Sequence, residues 1–243
     1  MEAKDGGNKS GGKSFLIAVD RKTGKDRWQI PRTSDLVAYS TPCVYQNANG
    51  RTELIFNSKP HGICGIDPKT GKVNWEVTGL LDKRSCSSSL LAGGLLIASC
   101  GSGGGGNYLV AIHPGGTGKP NAGQLAYKID KSAPYVPTPI AKGDLLFMWS
   151  DGGVVTGVKA STGEILWQNR VGGNYFGSPI CIEDRLYNIS TDGEVLVVGA
   201  TDKYTPLGKN PLGEISHSTP SVANGTLYLR TFSHLISLGG KKG

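Results

Sequence analysis

A unit of the form Ala-x-Asp-x-x-Thr-Gly-x-x-x-Trp recurs along this chain, and no other feature narrows the possible folds as far. It reads Ala18-Val-Asp20-Arg-Lys-Thr23-Gly24-Lys-Asp-Arg-Trp28 and then Gly65-Ile-Asp67-Pro-Lys-Thr70-Gly71-Lys-Val-Asn-Trp75. With its acid replaced it returns as Gly157-Val-Lys159-Ala-Ser-Thr162-Gly163-Glu-Ile-Leu-Trp167. A decayed copy runs from Ala111-Ile-His113 through Thr117-Gly118 to Tyr127, with an insertion ahead of the aromatic. The last copy, Val198-Gly-Ala200, lacks both Thr-Gly and aromatic. A second marker alternates with the first: Ser40-Thr41-Pro42, Ser87-Ser88-Ser89, Pro137-Thr138-Pro139, Gly177-Ser178-Pro179 and Ser218-Thr219-Pro220. Their third residues (42, 89, 139, 179, 220) stand 47, 50, 40 and 41 apart. A degenerate period of about 40 to 50 residues suits four short strands and four turns, the content of one propeller blade.

Local chemistry places the strands. After each Ser/Thr-Pro marker comes a short run such as Ser221-Val222-Ala223, a turn at Asn224-Gly225, and an alternating Thr226-Leu227-Tyr228-Leu229. Asn-Gly between two such runs is a hairpin signal. Third strands carry Leu16–Val19, Gly62–Ile66, Tyr108–Ile112 and Val154–Val158, and the fourth carries the Trp. Asp-x-x-Thr-Gly reads as a tight turn, in which Asp caps backbone N–H groups and Gly takes a positive φ. The Trp beyond it is a large apolar plate suited to packing between sheets. The 37 glycines and 13 prolines follow no three-residue period, which fits turns and excludes collagen.

Repeats of this type resemble the quinoprotein-like (PQQ-like) β-propellers, over essentially the whole chain from Phe15 to Leu238. The resemblance implies an all-β propeller of four-stranded antiparallel blades, with the Ser/Thr-Pro strand innermost and Trp28, Trp75 and Trp167 each docking on a neighbouring blade. The texture of Ser132-Ala-Pro-Tyr-Val-Pro-Thr-Pro139 and of Cys100-Gly-Ser-Gly-Gly-Gly-Gly-Asn-Tyr108 is similar to planctomycete-type repeat proteins. At repeat level the chain also resembles the propeller lipoprotein of the outer-membrane β-barrel assembly machinery, whose loops and edges meet partners.

The pattern opens on a third strand and a Trp strand and closes on the first three strands of a blade, about 21 strands or five blades in all. Two closures are open. Either the terminal pieces combine into one blade, or the chain is the C-terminal part of a ring of about seven or eight blades, the reading favoured here. The domain limits expected are a disordered polar segment at 1–14, the propeller at 15–238 and a disordered tail at 239–243. Exposed blade edges would favour homo-oligomers.

Charge and apolar runs restrict the partners. The net charge of +7 comes from scattered residues, several at the chain ends, and no basic stripe interleaves with aromatics, so no nucleic-acid site is expected. No apolar run approaches the about 18 residues of a spanning helix, and the first residues hold no signal-peptide apolar region. Cys43, Cys64, Cys86, Cys100 and Cys181 form no Cys-x-x-Cys and no adjacent pair, and are read as small hydrophobes.

Familiar site motifs fail on context. Gly7-Asn-Lys-Ser-Gly-Gly12-Lys13-Ser14 spells a P-loop, but a strand follows where a helix is required. Gly101-Ser-Gly103-Gly-Gly-Gly106 spells a dinucleotide fingerprint, and again a strand follows, so it reads as a hairpin loop. His61, His113, His217 and His234 occur singly, without zinc spacing, and no Gly-x-Ser-x-Gly elbow appears. No catalytic residue, metal ligand or cofactor-binding residue is assigned. The quinone-binding members of the resembling family hold their cofactor between a Trp and an adjacent Cys-Cys disulfide; no such pair exists here, so pyrroloquinoline quinone is not expected.

One constellation remains. The positions before the inner strands read Tyr39, Ser85-Cys86, Tyr135-Val136, Tyr175-Phe176 and Ser216-His217. With the inner strands on the axis, Tyr39, Tyr135, Tyr175, Phe176 and His217 ring one mouth of the channel. They either stack on a sugar, peptide or aromatic ligand or plug the channel and hold the blades together. The leading expectation is a non-catalytic scaffold of the periplasm or cell envelope that binds a protein or small ligand at this mouth. Alternatives are a fragment of a quinone-dependent alcohol or sugar dehydrogenase and the sensor domain of a larger signalling protein.

Overall fold

The computed structural model describes residues 14–34, 36–121 and 123–239. The P-loop string up to Lys13 lies outside them, as do residues 1–13 and 240–243 of the disordered ends expected at 1–14 and 239–243. Ser14 and Gly239 are strand residues, so the β-structure reaches one residue further at each end than the expected limits of 15 and 238.

Among the described residues six sheets follow one another along the chain, antiparallel but for one short added strand. The first is a pair, β1 (Ser14–Val19) and β2 (Asp26–Arg32). Blade I holds β3 (Cys43–Gln46), β4 (Thr52–Ser58), β5 (Gly62–Ile66) and β6 (Val73–Val77). Blade II holds β7 (Leu90–Ala92), β8 (Leu95–Cys100) and β9 (Tyr108–Ile112), then β10 (Thr117–Gly118) leaves the sheet before β11 (Leu125–Ile129) completes it. Blade III is β12 (Ile140–Lys142), β13 (Leu145–Trp149), β14 (Val154–Lys159) and β15 (Ile165–Arg170). Blade IV is β16 (Ile180–Ile182), β17 (Arg185–Ile189), β18 (Glu194–Gly199) and β19 (Pro206–Pro211). A three-stranded sheet of β20 (Ser221–Ala223), β21 (Thr226–Arg230) and β22 (Leu235–Gly239) comes last. The terminal pieces do not merge: β1–β2 and β20–β22 are separate sheets among the described residues.

The middle strands are mostly apolar because both faces of each sheet are covered. In β8, Leu96, Ala98 and Cys100 pack with Ile55, Ile63 and Val77 of blade I, while Leu95 and Ile97 pack with Leu146, Met148 and Val158 of blade III. Successive residues of a strand point to opposite faces, so such a strand needs no polar alternation. The same layering joins blades III and IV through Phe147, Trp149, Leu186 and Leu196. The outer sheets are covered on one side only, and β22 leaves Leu235 and Leu238 exposed.

The Ser/Thr marker makes the hub. The amide of Thr41 donates to Ser88 Oγ (2.9 Å), that of Ser88 to Thr138 Oγ1 (3.0 Å), that of Thr138 to Ser178 Oγ (2.9 Å), and that of Ser178 to Thr219 Oγ1 (2.9 Å). Each inner strand start is thus bonded to the next, and the inner strands β3, β7, β12 and β16 are consecutive neighbours. A backbone N–H at an inner strand start has no sheet partner, and a neighbouring hydroxyl satisfies it. Between first and second strands the hairpins turn on a left-handed residue: Gly93 (φ 57°), Gly143 (57°), Glu183 (53°) and Asn224 (51°).

The Asp-x-x-Thr-Gly turns close as their chemistry dictates. Asp20 Oδ1 accepts the amides of Lys22 and Thr23 (both 3.0 Å), and Asp67 Oδ1 those of Lys69 (2.7 Å) and Thr70 (3.1 Å). The Arg27 guanidinium, followed by the Thr23 and Lys22 amides, holds the Asp20 carboxyl at about 2, well below the usual carboxylate range. Where Lys159 stands in place of the acid, Asp144 from the preceding hairpin supplies the carboxylate and accepts the Ser161 amide (2.9 Å) and hydroxyl (2.8 Å). Thr117-Gly118 departs from the expected turn. It pairs in parallel with Glu76–Val77 as a fifth strand on blade I, because the inserted residues carry it across the gap between blades.

The aromatic plates are residues of strands β2, β6, β11 and β15, and β19 of blade IV carries none. Trp28 Nε1 donates to the Pro68 carbonyl (2.9 Å) and Trp167 Nε1 to that of Thr201 (3.0 Å), both in the following sheet. Tyr127 does the same through its hydroxyl, to the Ala160 carbonyl (2.8 Å). Trp75 differs: its Nε1 donates to Glu53 Oε2 (2.9 Å) within its own blade, while its ring joins the apolar layer shared with blade II. Trp75 and Trp167 lie directly over Gly65 and Gly157, their cross-strand partners, where a Cβ would stand 2.3 and 2.4 Å from the indole.

Candidate functional site

In an antiparallel blade the approach to the first strand and the turn between the second and third strands lie at the same end. At that end, residues from four consecutive sheets converge on a cleft of about 510 Å³. Blade II contributes Ser102 and Asn107 from its glycine-rich hairpin, blade III Tyr135 and Asp151, blade IV Asn174, Phe176 and Thr191, and the last sheet His217. The volume falls within the range of about 300–1,000 Å³ common for small-ligand sites.

Backbone bonds fix the lining. Asp151 accepts the Tyr135 amide through Oδ2 (2.7 Å) and the Val136 amide through Oδ1 (3.1 Å), while its own carbonyl accepts the Tyr175 amide (2.9 Å). One residue therefore holds the approaches to β12 and β16 together. The Asn174 carbonyl accepts the Thr191 amide (2.7 Å), and the Thr191 carbonyl accepts the Ser216 amide (3.2 Å), which repeats the arrangement one blade on. In the hairpin after β8, Asn107 Oδ1 accepts the Ser102 amide (3.0 Å), and Lys83 Nζ donates to the carbonyls of Gly105 (3.0 Å) and Gly106 (2.6 Å). Strand β9 follows that hairpin, so no helix N-terminus faces it.

The five aromatic and histidine positions divide by orientation. Phe176 and His217 occupy equivalent places on adjacent sheets and meet edge to face, with centroids 5.0 Å apart; Phe176 is 47% exposed. Tyr135 also lines the cleft, half-buried, with Arg84 Nη1 donating to its hydroxyl (3.3 Å). Burial raises the Tyr135 hydroxyl above its ordinary value. Tyr39 is exposed at the equivalent place before β3 but is not among the cleft residues.

Tyr175 is not among the cleft residues. It is 1% exposed and packs edge-on against Trp149 (5.8 Å) in the layer between blades III and IV. With its amide on the Asp151 carbonyl, Tyr175 faces in and Phe176 faces out. Burial pushes its hydroxyl up to about 12. Ala38, Ser85 and Ser216 hold the same inward position on other sheets and are likewise buried.

The polar residues Asp151, Asn174, Thr191 and Asn107 were not anticipated. Their signal was topological: each sits in a turn at the end where the inner strands begin.

Other polar clusters serve the frame. Arg32, 4% exposed at its side chain, donates to Glu76 Oε2 (2.8 Å) and Cys64 Sγ (3.1 Å) and contacts His61 Nδ1 (3.0 Å), tying β2 to blade I. Glu214, Ser233 and His234 are the types of a hydrolytic triad, but Ser233 Oγ and Glu214 both approach His234 at Nδ1 (2.9 and 3.2 Å). A triad relay needs the nucleophile on one ring nitrogen and the carboxylate on the other. Among the described residues no group of three or more His, Cys, Asp or Glu side chains is placed to hold a metal ion. The five cysteines are free thiols.

The family described as outer membrane protein assembly factor BamB matches residues 10–120 and again 119–243. The chain belongs to this family. Among solved structures it is similar to BamB from Moraxella catarrhalis, at 18% identity over 97% of this chain and 78% of that one, with a TM-score of 0.48. It is also similar to the computationally designed Ika8 protein, at 12% identity over 76% of this chain and 53% of that one, with a TM-score of 0.55, a likeness of fold alone. No curated protein matches the chain. Membership of the BamB family agrees with the repeat-level resemblance, and with it the all-β propeller assignment stands.

Proposed function

We propose that this chain is a non-catalytic propeller scaffold of the bacterial cell envelope that holds a protein partner or small ligand at the mouth cleft. The observation that carries this reading is Asp151. The carboxylate best placed in the cleft for acid–base chemistry accepts two main-chain amides. It is built in as a staple, around which Phe176 and His217 present an aromatic surface. General acid–base catalysis asks for a group within reach of the proton it moves and free to move it. Family membership supports an envelope role, since the family is described as an outer-membrane assembly factor. No helix among the described residues is long and apolar enough to cross a membrane.

A quinone fits poorly. The cleft lining contains neither Trp nor Cys, and Trp28, Trp75 and Trp167 lie at contacts between or within blades. The test combines fractionation with photocrosslinking. A tagged chromosomal copy carrying a photoreactive residue at Phe176 is expected to fractionate with the envelope and give a discrete adduct there. Recovery in the cytosol, or a saturable absorbance change on adding pyrroloquinoline quinone with Ca²⁺, would count against the scaffold.

A further inference from the structure

We infer that the mouth cleft takes a neutral saccharide. This rests on reading the mouth as a binding site and names the chemistry of what it would hold. Three features of the lining narrow the class. First, it contains no Lys or Arg, and its one carboxylate is Asp151. A phosphate, sulfate or carboxylate ligand would face that charge with no cation on the lining itself, because the nearby Arg84 and Lys83 are committed to the Tyr135 hydroxyl and to the Gly105 and Gly106 carbonyls.

Second, the wall is too polar for a purely apolar guest. Ser102, Asn107, Asn174 and Thr191 line it with hydroxyls and amides; the Ser102 hydroxyl already donates to the Gly105 carbonyl, but covering the polar groups of the other three without new hydrogen bonds would desolvate them at a cost. Asn107 already accepts the Ser102 amide at Oδ1, so it meets a ligand as a donor. Asp151 meets it as an acceptor, because a carboxylate oxygen with one amide bond retains further lone pairs. A ligand must therefore both donate and accept around its rim.

Third, the cleft carries aromatic faces held in place before any ligand arrives. Phe176 is nearly half exposed yet fixed edge-on to His217, and Tyr135 is fixed through Arg84. A pyranose combines an apolar C–H face with a rim of hydroxyls that donate and accept, which matches this wall on both counts. Preorganised rings also spare the ordering cost of binding. An amine would satisfy Asp151 but, having no acceptor, would leave the amide N–H donors of Asn107 and Asn174 without partners.

The test uses the whole chain with maltotriose, cellotriose and N-acetylchitotriose, an extended unfolded peptide, and spermidine. Binding is read by saturation-transfer NMR and calorimetry, with Phe176→Ala in parallel. The expected result is that at least one trisaccharide binds, with transfer strongest at its ring C–H protons. Phe176→Ala should weaken it about fivefold or more, the loss of one aromatic contact, at unchanged melting temperature. Binding of the peptide or spermidine alone, lost in Phe176→Ala, would overturn the saccharide and leave the mouth a binding site. So would saccharide binding that Phe176→Ala does not affect, since it would lie elsewhere. No binding by any probe, with Phe176→Ala lowering the melting temperature, would overturn both readings and make the ring a plug.

Discussion

The ring of Tyr127 lies against Gly163 of the next blade so closely that a Cβ on that glycine would stand 2.6 Å from the phenol Cγ. Gly71 faces Trp28 in the same way, at 2.8 Å. The glycine of the Thr-Gly turn thus has two duties, a left-handed backbone and room for an aromatic from the preceding sheet.

Those duties separate by substitution. Gly143 has φ 57° and open space, whereas Gly163 has φ 77° and the Tyr127 ring. Gly143→Ala should cost about 1 kcal/mol from backbone strain, and Gly163→Ala about 3 kcal/mol or more once overpacking is added. Urea denaturation of both variants checks this; equal losses would mean that the ring contact contributes nothing.

Trp167 should be the more demanding position of its blade. Trp167→Ala removes the plate over Gly157 and the contact with Tyr204, whose ring centroid is 5.5 Å away, for a loss of about 3–5 kcal/mol. Trp167→Phe keeps most of the plate but leaves the Thr201 carbonyl without its donor, for about 1–2 kcal/mol. Thermal unfolding should rank wild type above Phe above Ala.

At the hub, the Thr138 hydroxyl is the acceptor for the Ser88 amide. Thr138→Val should cost about 1–3 kcal/mol, since an amide loses its partner, while Thr138→Ser should be close to neutral. Amide hydrogen exchange should show faster exchange of Ser88 in the Val variant alone.

The Arg32–Glu76 pair predicts an acid-side loss of stability. Burial raises the Glu76 carboxyl, but Arg32 and then His61 outweigh it, and the net shift is below the ordinary value of 4.5. A carboxyl lowered on folding contributes stability that is complete above its unfolded value and disappears as pH falls through the lowered one. Glu76→Gln should therefore be less stable than wild type at pH 7, by about 1 kcal/mol for a pair exposed on one side, and the gap should close toward pH 3. A gap that widened in acid would reverse the sign assigned to Glu76.

Self-association should be measurable. Among the described residues β1 has a strand partner on one side only and exposes Phe15, Ile17 and Val19, and β22 likewise pairs only with β21. Open, apolar edges recruit strands. Sedimentation velocity should show concentration-dependent association that Ile17→Lys reduces; a strict monomer across concentrations would contradict it.

The sequence carries the propeller openly because each blade repeats the same local solutions. Asp20 and Asp67 cap their turns with the atoms the motif suggests, and Asn224-Gly225 makes the hairpin its dipeptide implies. What stayed hidden depends on partners remote in the chain. Asp144 substitutes for a missing acid at Lys159 from 15 residues upstream, and Thr117-Gly118 joins a blade it does not belong to. The mouth was legible in position but not in direction. Tyr175 and Phe176 are neighbours in sequence, and they turn to opposite sides, Tyr175 into the layer between blades and Phe176 toward the cleft.

Consecutive hydroxyl acceptors at the hub are 50, 40 and 41 residues apart, yet each link is the same bond at 2.9 to 3.0 Å. The axle is therefore indifferent to how much chain each spoke contains. Insertions such as the one carrying β10 are displaced to the perimeter, where they alter what the molecule shows to its surroundings without disturbing the pitch from one spoke to the next.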